Sequence, residues 1–152
     1  MAKSILADIF EAECEVNHED HARLSEDLAA FDAALDGLIR DAGVTAATEQ
    51  LRRLQRRITD ELLRHFATEE KTVLASLGRV RPELKPFCKA MKRQHAMLQR
   101  NWSKLQRLTE VLEYGSNQPG SAAQVRDYGH QFTRQMISHM TAEEKKIAGL
   151  TD

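Results

Sequence analysis

Two short segments decide the fold of this chain: HFATEEK at residues 65–71 and HMTAEEK at residues 139–145. They are offset by 74 residues, and the same offset superimposes HARL at residues 21–24 on HAML at residues 95–98. An internal repeat fixes the architecture before any single residue is interpreted. The sequence therefore predicts two similar halves that share one arrangement of polar side chains.

The repeat divides the chain into halves at about residues 4–77 and 78–151. With 152 residues the chain has the size of one domain that buries its own core, so we expect a single domain over residues 1–152. The sequence is rich in Ala, Leu, Glu, Gln, Lys and Arg and contains few glycines and prolines. This composition is typical of a helical protein.

Three clusters of helix-breaking residues divide the sequence: DAGVT (41–45), LGRVRP (77–82) and YGSNQPGS (114–121). Between them, apolar residues recur with a period near that of an α-helix. We predict an all-α fold, an up-down-up-down antiparallel four-helix bundle with a pseudo-twofold internal repeat. The first helix is expected to begin between Ser4 and Asp8 and to end at Gly43. The second is expected to end at Gly78, and the third to begin near Pro82.

The repeat is strongest at residue types that bind metals: His21, His65, Glu69, His95, His139 and Glu143. In an antiparallel bundle their predicted positions fall at one end, within a turn or two of one level. A histidine and a glutamate four residues apart project from the same helix face, so both can point into the bundle. Because a buried, ionised glutamate without a partner is costly, these six residues predict a metal site.

The residue types also restrict the metal. Two carboxylates can each bridge two cations, and four imidazoles can complete two sites of two nitrogens each. Nitrogen and oxygen ligands without thiolate suit iron or manganese, and they suit zinc less well because they would overfill a tetrahedral site. The residues alone leave iron and manganese open, and each metal keeps room for a bridging oxygen and an exogenous ligand. An open position on each metal predicts a small diatomic or peroxide ligand.

The strings HFATEE (65–70) and HMTAEE (139–144) resemble those of the hemerythrin-like (HHE cation-binding) family, and the resemblance extends over nearly the whole chain. It implies a four-helix bundle that holds a non-haem di-iron site, with two iron ions joined by an oxo or hydroxo bridge and with manganese in one position as an alternative. The residues that match the family's ligands are His21, His65, Glu69, His95, His139 and Glu143. The resemblance thus implies four terminal histidine ligands and two bridging glutamates.

Two positions depart from the oxygen-carrying members of that family. Those members have His-x-x-x-His in the third helix, where this chain has Gln99 after His95. They have His-x-x-x-x-Asp in the last helix, whereas here Glu143 follows His139 by four residues. The departures weaken the expectation of reversible oxygen transport. The four-His, two-Glu pattern is more similar to the di-iron domain of iron-sulfur-cluster repair proteins and to iron-sensing hemerythrin-like domains, which handle nitric oxide, peroxide or iron itself.

Three further residues leave alternatives open. His18 lies three residues before His21 and could compete as a ligand, but the repeat pairs it with Lys92, so symmetry favours His21. Cys14 and Cys88 superimpose in the repeat, each two turns before a candidate histidine. We interpret them first as small buried hydrophobic residues and, as a sharper alternative, as a redox pair.

Charge and hydropathy exclude other function classes. The 22 basic and 23 acidic residues leave a net charge of −1, which gives no reason to expect a nucleic-acid or membrane partner. No apolar stretch approaches the roughly 20 residues that cross a bilayer. The opening residues, MAKSILADIFEAE, lack the pattern of a signal peptide. We therefore expect a cytoplasmic protein, monomeric or a weak homodimer.

Two function hypotheses follow from these observations. The first is a non-haem di-iron protein that binds or reduces oxygen, nitric oxide or peroxide in oxidative or nitrosative stress, with an electron donor of unknown identity. Whether such a centre turns over as an enzyme is left open. The second is iron sensing, storage or donation without turnover, in which metal occupancy changes helix order.

Overall fold

The computed structural model describes residues 5–40, 44–114 and 119–151, and every described element is helical. The elements are α1 (Ile5–Arg40), α2 (Val44–Lys71), α3 (Val73–Val80), a 3-10 turn (Pro82–Leu84), α4 (Lys85–Tyr114) and α5 (Pro119–Thr151). The all-α prediction is confirmed. The first helix is already formed at Ile5, the first described residue, whereas Gly43, its predicted end, lies outside the described residues.

Helices α2 and α3 follow one another as one arm that is interrupted at Thr72. The backbone amide and the hydroxyl of Thr72 both donate to the carbonyl of Thr68, at 2.9 and 2.8 Å. The amide of Ser76 donates in turn to the carbonyl of Thr72, at 2.8 Å. The backbone of Thr72 itself leaves the helical region, with φ −108° and ψ −86°, and α3 begins at the next residue.

The four arms pack as a bundle. Helix α1 packs against α2 and α5, and α4 packs against the same two helices. Along α1, His21 meets Glu144 of α5, and Leu35, further along, faces Gly129, so these two helices run antiparallel. This packing confirms the predicted antiparallel four-helix bundle.

The junction between the halves differs from the prediction. The second arm continues through Gly78 to Val80, because Gly78 adopts a helical backbone and the amide of Arg81 still donates to the carbonyl of Leu77. A 3-10 turn with proline in its first turn then precedes α4, which begins at Lys85 rather than near Pro82.

The core consists of two apolar clusters. The larger one fills the part of the bundle near the α1–α2 and α4–α5 connections and contains Leu28, Phe31, Leu105 and Phe132. The smaller one, which includes Phe10, packs at the other end. The polar positions singled out by the repeat lie between these two clusters. Among the described residues, no helix combines the length and apolar composition that crossing a bilayer requires.

Candidate metal centre

The six candidate ligands form one buried layer across the bundle. None of them is more than 4 % exposed: His21, His65, Glu69, His95, His139 and Glu143. Helix α1 contributes one histidine, α2 a histidine and a glutamate, α4 one histidine, and α5 a histidine and a glutamate. The structure therefore brings together every residue that the repeat singled out.

Glu69 lies at the centre of this layer. Its Oε2 is 3.0 Å from Nε2 of His65 and 3.3 Å from Nε2 of His21. Its Oε1 is 2.8 Å from Nε2 of His95. The two oxygens of one carboxylate thus face histidines of opposite halves of the bundle, which is the arrangement that a bridging carboxylate needs.

Glu143 occupies the equivalent position on α5. Its Oε1 is 2.9 Å from Nε2 of His139, on the same helix, and 3.7 Å from Nε2 of His21. It therefore also faces histidines of both halves.

Within the described parts of the chain, two groups of side chains could hold a metal ion. In each group the candidate ligand atoms all lie within 4.8 Å of one another. One group is His21, His65 and Glu69; the other is Glu69, His95, His139 and Glu143. Glu69 belongs to both groups, so the arrangement accommodates two neighbouring cations that share a carboxylate.

The hydrogen bonding of the layer is incomplete where a cation would supply the missing partner. Both carboxylate oxygens of Glu143, Oε1 of Glu69, and Nε2 of His95 and His139 are buried without a hydrogen bond. Buried polar atoms in proteins are nearly always paired. Nε2 of His95 lies 2.8 Å from Oε1 of Glu69, yet neither of these two atoms makes a hydrogen bond. Their lone pairs converge as those of metal ligands do.

Electrostatics support the same interpretation. The pKa of Glu143 is raised to about 11, mainly by burial and secondly by the adjacent Glu69 carboxyl. Burial opposes the ionisation of Glu69, but contacts with His21, His65 and other neighbours outweigh it and hold its pKa below the usual range. Two carboxylates this close and this buried cannot both be charged unless a cation compensates them. Their residue types and burial fit a divalent or trivalent metal pair.

His139 presents a neutral nitrogen to this centre. Burial, and next the neighbouring His95, lower the pKa of His139 to about 3. A ligating imidazole must be neutral, so this shift favours metal binding.

An outer set of polar side chains faces the Nδ1 atoms of the histidines, and the sequence analysis did not identify it. Nδ1 of His21 donates to Glu144 at 3.1 Å, and Nδ1 of His139 donates to Gln94 at 2.6 Å. Such partners fix the tautomer and ring orientation of metal-binding histidines. A signal was present, because Glu144 closes the string HMTAEE and repeats Glu70 in HFATEE.

Phe66 is a second residue that the sequence analysis did not assign to the site. Its ring stacks on His95, with 4.1 Å between centroids and 13° between planes. It also lies within 6.1 Å, centroid to centroid, of His65 and His139. A fully buried phenyl ring at this point excludes water from the layer and limits how the imidazoles can rotate.

His18 and Gln99 lie outside both groups of candidate ligands. The side chain of His18 is 74 % exposed, and its Nδ1 contacts Glu144 at 2.9 Å. The structure therefore places His21, and not His18, in the buried layer. Gln99, the departure from oxygen carriers, is only partly buried.

Both cysteines are free thiols in the smaller apolar cluster or against it. Burial, and next Glu13, raise the pKa of Cys14 to about 11, and burial also raises the pKa of Cys88. The Cys88 thiol donates to the carbonyl of Leu74 at 3.4 Å. Raised pKa values keep both groups as thiols at neutral pH, which favours the packing interpretation. The redox pair stays a prediction.

Comparison with known proteins agrees with this geometry. A family model described as the hemerythrin HHE cation-binding domain matches residues 15–151, a range that contains all six candidate ligands. No curated protein and no solved structure matches the chain. With nearly the whole chain matched and the His/Glu layer in its core, the protein belongs to the hemerythrin HHE cation-binding domain family, a family of metal-binding, usually iron-binding, helical modules.

Proposed function

We propose that this protein is a non-haem di-iron protein that binds or reduces a small oxidant: oxygen, nitric oxide or peroxide. The observation that carries the proposal is the position of Glu69, whose two oxygens face the histidines of both halves. In the proposed centre the Nε2 atoms of His21, His65, His95 and His139 would hold the two ions as terminal ligands, and Glu69 and Glu143 would supply the shared carboxylates. A di-iron group, when bound, supplies reversible electron transfer and open coordination positions for a small ligand.

The surrounding residues favour such chemistry. The buried layer lies between two apolar clusters, and Phe66 covers His95, so a bound oxidant would be shielded from bulk water. Glu144 and Gln94 hold the Nδ1 atoms of His21 and His139 and keep Nε2 directed inward. Repeated reduction of an oxidant would require an external electron donor, which we propose to be a separate molecule.

Iron sensing, storage or donation is the second candidate, and one observation favours it. The carboxyl pair of Glu69 and Glu143 is costly to bury without a cation, because the pKa of Glu143 rises to about 11. Metal occupancy is therefore coupled to the stability of α2 and α5. A protein that reports or releases iron could use this coupling without any turnover.

Rapid mixing of the iron-loaded protein with peroxide or nitric oxide distinguishes the two candidates. We expect the near-ultraviolet and visible absorption of the iron centre to change within seconds, before a ferrous chelator removes the metal. His21→Ala should lose the response, whereas His18→Ala, which alters an exposed neighbouring histidine, should keep it. Iron that leaves readily to the chelator and does not react with either oxidant would overturn the first candidate in favour of the second.

A further inference from the structure

The outer partners of the four histidines are not all alike. Nδ1 of each imidazole faces one polar side chain, at distances of 2.6 to 3.5 Å, and all of them except Nδ1 of His95 make a hydrogen bond there. The pairs are His21 with Glu144, His65 with Asp20, His95 with Glu70, and His139 with Gln94. Three histidines thus face a carboxylate, and His139 alone faces a neutral amide.

This difference is an asymmetry in an otherwise regular repeat. Glu70 and Glu144 are related by the 74-residue offset, and they occupy equivalent outer positions. Asp20 and Gln94 are related by the same offset, yet one carries a charge and the other does not. The two halves therefore present the same inner ligands and different outer charges.

The difference between Asp20 and Gln94 would reach a bound metal through the histidine that each of them faces. A carboxylate that accepts a hydrogen bond from Nδ1 makes the imidazole a stronger electron-pair donor to the metal through Nε2. A neutral amide has the same effect to a smaller degree. Gln94 lies closer to its histidine, at 2.6 Å against 3.4 Å for Asp20, so it orients His139 well but adds no charge. Arg23 pairs with Asp20 and offsets part of its charge, but its side chain is 58 % exposed and solvent screens it.

We propose that Asp20 and Gln94 make the two metal positions inequivalent, so that the position held by His21 and His65 binds its ion more tightly than the position held by His95 and His139. The inference rests on the proposed two-iron function. In the metal-free layer Glu143 groups only with Glu69, His95 and His139, and its Oε1 lies 3.7 Å from Nε2 of His21. When both carboxylates bridge, as in the proposed centre, the two positions have the same types of inner ligand and differ in their outer partners. Asp20 and Gln94 are positioning residues, since they act on the metal only through a histidine.

Anaerobic titration of the metal-free protein with ⁵⁷Fe²⁺, followed by Mössbauer spectroscopy, tests the proposal. We expect two resolved ferrous doublets, with the first equivalent of iron entering mainly one of them and about a tenfold difference between the two binding constants. Gln94→Glu gives both halves a carboxylate, and Asp20→Asn gives both an amide. Each variant should bring the two binding constants and the two doublets together.

Gln106→Glu is the matched control. It adds the same charge to α4 about three turns away, where Gln106 bonds to Thr59 instead of a candidate ligand. Its two binding constants and doublets should equal those of the unaltered protein.

The outcomes separate this inference from the proposed function. Fewer than two bound iron ions in the unaltered protein would overturn the di-iron proposal. Two bound ions that give a single doublet would overturn the asymmetry alone. A difference between the doublets that survives in both Gln94→Glu and Asp20→Asn would likewise show that these residues do not cause it.

Discussion

Glu143→Gln is expected to stabilise the metal-free protein while weakening its affinity for metal. The pKa of Glu143 is raised from 4.5 to about 11 by burial and next by Glu69. Because the folded-state pKa lies above the unfolded one, the chain takes up a proton on folding, and stability falls as pH rises above about 4.5. The amide is neutral at every pH and can donate to the neighbouring Glu69 carboxylate, so the variant avoids this penalty.

The magnitude follows from the unfolded pKa. At pH 7 the solution pH is 2.5 units above the pKa of 4.5 that the carboxyl has in the unfolded chain. At about 1.36 kcal/mol per unit, taking up a proton on folding therefore costs about 3 kcal/mol. This value holds for any folded-state pKa above about 8, because the folded group is then protonated at neutral pH. At pH 5 the same calculation leaves less than about 1 kcal/mol.

Urea unfolding followed by circular dichroism, with a chelator present, measures the effect. Glu143→Gln should raise the free energy of unfolding by about 3 kcal/mol at pH 7 and by less than about 1 kcal/mol at pH 5. Glu15→Gln, an exposed glutamate of α1, is the control and should change it by less than about 0.5 kcal/mol at both pH values. Equal or lower stability of Glu143→Gln at pH 7 would refute the reasoning.

Two other predictions concern the contact between α1 and α5. A Cβ at Gly129 would lie 2.5 Å from Cδ1 of buried Leu35, so Gly129→Ala should lower the free energy of unfolding by about 1 to 2 kcal/mol despite better helix propensity. A Cβ at Gly37 would meet nothing within 4 Å, so Gly37→Ala should raise the free energy of unfolding by about 0.5 to 1 kcal/mol in the same urea assay. Equal effects of the Gly129 and Gly37 variants would contradict the packing of Gly129 against Leu35. A hydrogen bond from His130, and to a smaller degree one from Arg126, lowers the pKa of Asp36. The stability that these bonds contribute is therefore present above the ordinary Asp36 pKa of 3.8, and it is lost as the pH falls through the lowered pKa. His130→Ala should raise that pKa in an NMR titration, and an unchanged value would exclude the contact in solution.

Much of the buried His/Glu layer could be predicted because the candidate ligands repeat. Six polar residues on apolar helix faces, at one offset, required a common level in an antiparallel bundle, and the buried layer matches that expectation. The same symmetry separated His21 from His18, which is 74 % exposed. The offset also relates the outer partners Glu70 and Glu144, but sequence spacing does not show which atom of a histidine faces inward.

The remaining features depend on local geometry, which the hydrophobic periodicity of the sequence does not specify. The interruption at Thr72 is a local change of backbone angles, to φ −108° and ψ −86°, which the helical period of the sequence does not indicate. Phe66 occupies an apolar stripe position like many others, and only the packed structure shows its ring stacked on His95. The sequence likewise shows that Asp20 and Gln94 differ in charge, but only the packed structure shows that both lie beside Nδ1 atoms of candidate ligands.

The iron content of protein loaded under anaerobic conditions and freed of unbound metal decides whether the buried layer is a two-metal centre. We expect two iron ions per chain by elemental analysis, and a loss of at least one in His95→Ala. Arg93→Ala, an exposed residue of the same helix, should keep both ions. One iron or none in the unaltered protein, or two in His95→Ala, would contradict a two-iron centre shared by Glu69 and Glu143.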